Sequence, residues 1–122
     1  MHTRYPPVLP SGKSERQYPV RTICGSMRYK ELMLNVAQSQ TASGVIILMP
    51  FVADYTGRVA PDNRKQMLDD MHFSKIDMSE SIIVVGSHIG ESTANEIEYA
   101  RFTGKEVYYW DMQLSALSFS HT

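Results

Sequence analysis

The sequence has little of what builds disulfide-stapled, cysteine–zinc or membrane-spanning proteins. Its single cysteine, Cys24, excludes an internal disulfide and a zinc cluster made from several cysteines. The longest apolar run, residues 45–53, contains Pro50 and is far too short to span a membrane. The first residues show no apolar stretch typical of a secretory signal. We therefore expect a cytoplasmic protein with no membrane partner.

Neither sign of charge dominates the chain. The formal net charge is −1 and 20% of the residues are charged, so a nucleic-acid polymer is not an expected partner. A length of 122 residues fits a single domain with a real core. Residues 1–19 contain four of the six prolines, which predicts an extended N-terminal arm before one domain over residues 20–122. The arm is either a loose end or a segment that packs on a neighbouring subunit.

Residues 82–110 are the most informative stretch of the sequence. Four β-branched residues, 82–85, predict a buried parallel strand, and residues 107–110 predict the next one. Between them, a glycine-containing loop leads into a helix that we expect to begin at Ser92 or Thr93. Thr93 and Glu96 have the spacing of a capping box.

This interpretation puts Glu96 in the first turn of a helix that follows the carboxyl end of a strand. Open α/β sheets bind their ligands at that edge. The helix N-terminus should also keep the Glu96 carboxylate ionised. A plain capping role for Glu96 explains the spacing alone equally well.

The first half of the sequence has the same strand–loop–helix–strand order. Residues 20–24 and 45–49 predict two strands, and residues 29–41 have the apolar spacing of an amphipathic helix. Gly25, Ser26 and Arg28 lie in the loop after the first strand, where a helix N-terminus, a hydroxyl and a guanidinium can form an anion site. A tight turn with a solvated arginine is the competing interpretation.

Three other segments complete the predicted architecture. Residues 50–64 form a loop that either covers the ligand edge or simply connects two elements, and residues 65–79 form a second helix. We expect its apolar side chains to face the core: Met67, Leu68, Met71, Ile76 and Met78. After Trp110 we predict a short helix or an arm.

These elements predict a small doubly wound α/β fold, flavodoxin- or Rossmann-like. It has about four parallel strands in the order 2-1-3-4 and helices on both faces. Because so small a sheet leaves edges and faces exposed, a homodimer or higher homo-oligomer is expected.

Two motifs together resemble a known family. The residues after the first strand, ICGSMR at positions 23–28, are similar to the first loop of the 2′-deoxynucleoside 5′-phosphate N-hydrolases of the nucleoside 2-deoxyribosyltransferase superfamily. The segment GESTANEIEYA, residues 90–100, resembles small bacterial and phage proteins described as deoxyribosyltransferase-like. The resemblance covers about residues 20–111. It implies a deoxyribosyltransferase-like α/β domain that acts on nucleotides.

The resemblance also implies roles for individual residues. Glu96 matches the glutamate that attacks the anomeric carbon and expels the base. The predicted substrate- and phosphate-binding set comes from the two loops and the tail: Cys24, Gly25, Ser26, Arg28, Gly90, Ser92 and Ser115. Ser115 resembles a C-terminal serine that reaches the phosphate of a neighbouring subunit.

A second carboxylate normally assists the departing base in this family. The directly aligned position here is Phe73, and Asp77, Asp70 and Asp69 are the nearby substitutes, of which we favour Asp77. His72 is a less favoured proton donor.

The predicted function is therefore a nucleoside 5′-monophosphate N-glycosidase that works through a covalent glycosyl–glutamate intermediate. Two alternatives stay open. A deoxyribosyltransferase uses the same chemistry with a base as acceptor, and a nucleotide-binding sensor uses the phosphate loop without turnover. The chemistry needs no cofactor, and no metal site is expected, because the histidines show no ligand spacing.

Overall fold

The computed structural model describes residues 9–12, 18–50, 62–113 and 115–119. These residues form an α/β fold of five strands and three α-helices, with a short 3₁₀ helix, Met27–Tyr29, before the first α-helix. The strands are β1 (Val20–Cys24), β2 (Ile46–Leu48), β3 (Ser81–Val84), β4 (Glu106–Asp111) and β5 (Ala116–Phe119). The helices are α1 (Lys30–Ala42), α2 (Asp62–Asp77) and α3 (Glu91–Phe102). The predicted α/β class is confirmed.

All five strands belong to one sheet in the order β2-β1-β3-β4-β5. The first four are parallel and have the predicted order 2-1-3-4. β5 runs antiparallel to β4, with Trp110 opposite Leu117. The expectation of a helix or arm after Trp110 is therefore wrong. Apolar and small residues alternate along β5, which is the pattern of a strand. Ser115, at φ +48°, ends the turn that brings the chain back alongside β4.

Helices cover both faces of the sheet, as predicted. On one face, α1 buries Met33 and Val36 against residues of the central strands β1 and β3. On the other face, α2 and α3 pack together over the sheet through Ile76, Ile97 and Ala100. Each face therefore has its own apolar core. The β3 strand is buried along its whole length because it contributes side chains to both cores.

The buried face of α2 differs from the predicted one. Its inward residues are His72 and Ile76, whereas the predicted Met67, Met71 and Met78 are about half exposed or more, at 50%, 47% and 66%. The reason lies partly in β1, where Thr22 is buried and polar. Its Oγ1 lies 2.6 Å from Ser79 Oγ and donates to the Lys75 carbonyl at 3.0 Å. Polar partners on this side of α2 thus turn the methionines outward.

Two predicted segments lie largely outside the described residues. Residues 9–12 of the predicted arm form a turn in which Gly12 N–H donates to the Leu9 carbonyl. The rest of the arm before residue 18 and residues 51–61 of the predicted 50–64 loop are not described. Within the described ranges, none of the helices combines the length and the apolar composition that crossing a bilayer requires.

Candidate functional site

The candidate site lies at the carboxyl ends of β1 and β3. These two strands are neighbours at the centre of the sheet, with Cys24 opposite Val84. Their connections diverge, since α1 leads to β2 on one side and α3 leads to β4 on the other. Such a divergence opens a crevice that ligands of α/β folds occupy. The predicted loop residues Gly25, Ser26 and Arg28 therefore share one edge with Gly90 and Ser92.

The first loop is a tightly built turn. Gly25 has φ +155°, and a Cβ atom there would lie 2.5 Å from the Val85 carbonyl oxygen, so only glycine fits beside the third strand. Ser26 caps the 3₁₀ helix, and its Oγ accepts a bond from Arg28 N–H at 3.3 Å. Arg28 itself is exposed at the edge of the sheet. The loop thus presents a guanidinium over a fixed backbone.

Tyr29 joins the first loop to the second loop, residues 85–90 between β3 and α3. Its ring lies against Gly86, which has φ +99°, and a Cβ atom at this glycine would overlap the ring. Its hydroxyl accepts a bond from His88 N–H at 2.9 Å and lies 3.4 Å from Ser87 Oγ. This tyrosine was not among the predicted site residues, although it follows the GSMR motif directly. It fixes the distance between the two loops that border the crevice.

The start of α3 differs from the predicted capping box. The N-cap is Gly90, which offers no side chain to the first-turn N–H groups, and the helix begins at Glu91. Thr93 is buried inside the helix rather than capping it. Glu96 is therefore the sixth helical residue, in the second turn rather than the first. Its carboxylate is not used in a capping box, which removes the competing structural role for this residue.

Glu96 instead lies in a buried cluster with Cys24 and His72. The Cys24 Sγ and the His72 Nε2 are 3.5 Å apart, and the same Nε2 is 3.6 Å from Glu96 Oε1. The side chains of His72 and Glu96 are 8% and 15% exposed, and Cys24 is fully buried. The three residues come from α2, α3 and the end of β1. Cys24, predicted to bind substrate directly, therefore lies beneath the crevice and not on its wall.

Burial controls the protonation of this cluster. It raises the pKa of Glu96 to about 7, an effect that the nearby Asp69 charge increases and a hydrogen bond from Cys24 opposes. It lowers the pKa of His72 to about 4, with the Lys75 charge contributing. Burial, together with the Glu96 charge, also raises the pKa of the Cys24 thiol well above its ordinary value. At neutral pH the imidazole is thus neutral, and its contact with Glu96 is not an ion pair.

The expectation that a helix N-terminus keeps Glu96 fully ionised is therefore wrong. The favourable field of a helix end falls off within the first turn. Glu96 lies one turn further on and loses most of its contact with water. Desolvation of the charged form is the larger effect at this position.

The structure separates the three aspartates that could assist a leaving base. α2 runs opposite to the parallel strands, so its last residue, Asp77, lies near the amino ends of the strands. There Asp77 Oδ1 accepts a bond from the Tyr99 hydroxyl at 2.6 Å. Asp69 is two turns earlier, and its charge acts on both His72 and Glu96. The favoured Asp77 is thus paired with Tyr99, and of the three aspartates it is Asp69 whose charge acts on Glu96.

The remaining predicted positions lie elsewhere. Phe73 packs edge-on against the Tyr99 ring with a centroid distance of 4.8 Å, so the aligned carboxylate position belongs to the core. Ser115 lies in the turn between β4 and β5, at the same edge of the sheet but two strands away from β1. Asp70 is an exposed residue of α2.

The Cys24–His72–Glu96 cluster could not be found from spacing, because its members are 48 and 24 residues apart in the chain. The available signal was the position of His72 four residues before Ile76, on the inward face of α2. Its Nδ1 is buried and has no hydrogen-bond partner among the described residues. Comparison of the chain with known proteins yields no matching family model and no matching curated protein.

Proposed function

We propose that the protein hydrolyses the base–sugar bond of a nucleoside 5′-monophosphate, with Glu96 as the nucleophile. The observation that carries the proposal is the position of this carboxylate. It interacts with Cys24, the residue at the end of β1 that directly precedes the first loop, and 15% of its side chain remains accessible. A carboxylate that is mostly shielded from water but reachable from a crevice suits attack on an anomeric carbon.

The proposed reaction has two steps. In the first, a Glu96 oxygen forms a bond to the anomeric carbon while the bond from that carbon to the base nitrogen breaks, and the base leaves with the electron pair and takes up a proton. In the second, the oxygen of a water molecule forms a bond to the same carbon while the bond from that carbon to Glu96 breaks, and the water gives up one proton to solvent. Because the carboxylate must be ionised, base release should fall as the pH drops below about 7.

Asp69 is the proposed second carboxylate. It lies one turn before His72 on α2, and its charge acts on Glu96. It pairs with Lys65 at 3.1 Å and is half exposed. This position suits a group that assists the departing base at the mouth of the site.

The phosphate of the substrate is proposed to bind between the two loops. Arg28 supplies a forked cation, and the start of α3 supplies N–H groups that its Gly90 cap leaves without a side-chain partner. Ser26 and Ser92 are the hydroxyls at this edge. Anion recognition of this kind favours a nucleotide over a free nucleoside.

The deciding experiment incubates the purified protein with a panel of ribo- and deoxyribonucleoside monophosphates and follows free base by chromatography. We expect release from one or two of them, its loss in Glu96→Gln, and its retention in Glu98→Gln, an exposed carboxylate of the same helix. Added acceptor bases separate transfer from hydrolysis. If a monophosphate binds but no base is released, the sensor hypothesis replaces the enzyme hypothesis. If the protein shows no binding and no base release, both hypotheses are overturned.

A homodimer or higher homo-oligomer is proposed as the working assembly. Among the described residues, α1 is the only α-helix on its face of the sheet, and Tyr108, Trp110 and Leu117 on that face are only partly buried. A second copy would cover this apolar area. Sedimentation of the protein over a range of concentrations tests the assembly, and a monomer throughout would contradict it.

A further inference from the structure

We propose that Cys24, His72 and Glu96 form a binding site for a single divalent metal ion of the zinc class. The three ligand atoms would be Cys24 Sγ, His72 Nε2 and a Glu96 carboxylate oxygen, and these lie within 4.8 Å of one another. A thiolate, an imidazole and a carboxylate are the donors that zinc prefers, and three protein ligands leave a fourth position open. The site needs only these donors, so it does not rest on the proposed glycosidase activity.

The distance between His72 and Glu96 favours shared ligation over a direct hydrogen bond between these two side chains. The 3.6 Å between His72 Nε2 and Glu96 Oε1 exceeds the length of an N–H···O hydrogen bond. Ordinary zinc–ligand bond lengths at tetrahedral angles place nitrogen, oxygen and sulfur ligands about 3.3 to 3.6 Å apart. The Cys24–His72 separation of 3.5 Å has that same value. The imidazole thus points its Nε2 between the other two donors at the spacing of co-ligands.

The burial of the cluster supplies a second reason. Two of the three groups are at least nine-tenths buried, and a metal ion bound between them would satisfy all three donor atoms at once. The three donors also come from regular secondary structure: the end of β1, α2 and the second turn of α3. Metal sites need donors fixed in this way on rigid elements.

Metal binding would displace protons from the cluster. The thiol would lose its proton to become a thiolate ligand, and any protonated Glu96 would lose its proton as well. His72 would bind through Nε2 in its neutral form and keep the hydrogen on Nδ1. The overall change is one metal ion bound and between one and two protons released to solvent.

If Glu96 is the nucleophile, as the proposed function requires, a bound metal ion would also block base release. A Glu96 carboxylate that is bound to a metal ion cannot attack the anomeric carbon, so a protein molecule that holds the ion cannot release a base. Zinc would then act as a reversible inhibitor, and a chelator would restore base release. If the protein binds zinc but base release continues, the result counts against Glu96 as the nucleophile and not against the metal site. The binding measurement described below does not depend on turnover.

The test uses cobalt as a spectroscopic probe on the full chain after removal of metals by chelation. Because Cys24 is the only cysteine, a thiolate-to-cobalt absorption band can come from no other residue. We expect this band at one cobalt per chain, displacement of cobalt by zinc, and proton release in weakly buffered solution. Cys24→Ser should abolish the band, and Glu96→Gln should weaken cobalt binding at least about 100-fold.

Glu98→Gln is the matched control, because it removes an exposed carboxylate from the same helix and should leave the cobalt spectrum unchanged. Circular dichroism tests whether each variant is folded. If Cys24→Ser does not fold, the affinity of Glu96→Gln for cobalt decides the question. Absence of the thiolate band in the folded wild-type chain would overturn the proposal. Cobalt binding that is insensitive to Glu96→Gln would overturn it too, since the ion would then lie elsewhere.

Discussion

The buried carboxylate of Glu96 makes the stability of the fold depend on pH. Its pKa is raised from 4.5 to about 7, so the folded state prefers the protonated form. The contribution of Glu96 to stability is therefore fully present below pH 4.5 and is lost as the pH rises through 7. A rise of this size corresponds to a cost of about 3 kcal/mol at most. The ionised form of Glu96, which the proposed nucleophilic attack needs, thus lowers the stability of the fold.

Glu96→Gln should stabilise the metal-free protein, and more so at higher pH, because glutamine cannot ionise. We expect the gain in the free energy of unfolding to be about 2 kcal/mol larger at pH 8 than at pH 5. Urea unfolding at both pH values, in the presence of a chelator, measures it. The exposed Glu98→Gln should show no such difference between the two pH values. An equal gain for Glu96→Gln at pH 5 and pH 8 would contradict the burial argument.

The two aspartates of α2 offer a direct comparison of position. Asp69 and Asp77 are separated by about 12 Å along the helix, because each residue advances the axis by 1.5 Å. Asp69→Asn should lower the rate of base release about 100-fold, the usual effect of losing a proton-transfer group. Asp77→Asn should leave it nearly unchanged, since Asp77 contacts Tyr99 instead. Initial rates with the best monophosphate decide, and the reverse order would restore Asp77 as the base-assisting residue.

At the scale of elements, the two loops of the crevice depend on Tyr29. Tyr29→Phe removes the hydroxyl that accepts from His88 N–H, and we expect only a small loss of stability because this hydrogen bond is exposed to water. We also expect a higher KM for the monophosphate with little change in kcat, because the loops bind the substrate rather than react with it.

Tyr108→Phe is the control for this prediction. It removes a hydroxyl that donates to Glu106 at 2.8 Å, near the amino ends of the strands and far from the crevice. Its effect on stability should be similar, with no effect on KM. If Tyr29→Phe changed stability but left KM unaltered, Tyr29 would be a packing residue and not a link between binding loops.

The elements themselves could be predicted wherever their residues repeat with one period. For β1 and β3 a run of apolar residues predicted the position of each strand, and for α1 the apolar spacing predicted the position of the helix. The face of α2 could not be predicted from its methionines, because the partner that decides it, Thr22, lies on a strand 40 or more residues earlier. The site shows the same division: the first loop follows from the local motif GSMR, whereas the Cys24–His72 contact depends on tertiary packing.

At the scale of the whole molecule, the crevice lies between the halves of the sheet. The first loop belongs to the β1–α1–β2 unit and the second to the β3–α3–β4 unit. A ligand that contacts both loops therefore joins the two units, and its binding energy adds to the stability of the entire fold. Binding can thus be measured separately from turnover through global unfolding.

The last prediction uses Glu96→Gln, which should bind a monophosphate without cleaving it. At a ligand concentration of 100 times Kd the added stability is about 2.7 kcal/mol, which for a domain of this size raises the Tm by on the order of 10 °C. Adding Arg28→Ala should remove most of that rise for a monophosphate, while the matching nucleoside should give little rise in either variant. Equal rises for nucleotide and nucleoside would mean that the first loop does not bind the phosphate, and the substrate class would then be the nucleoside.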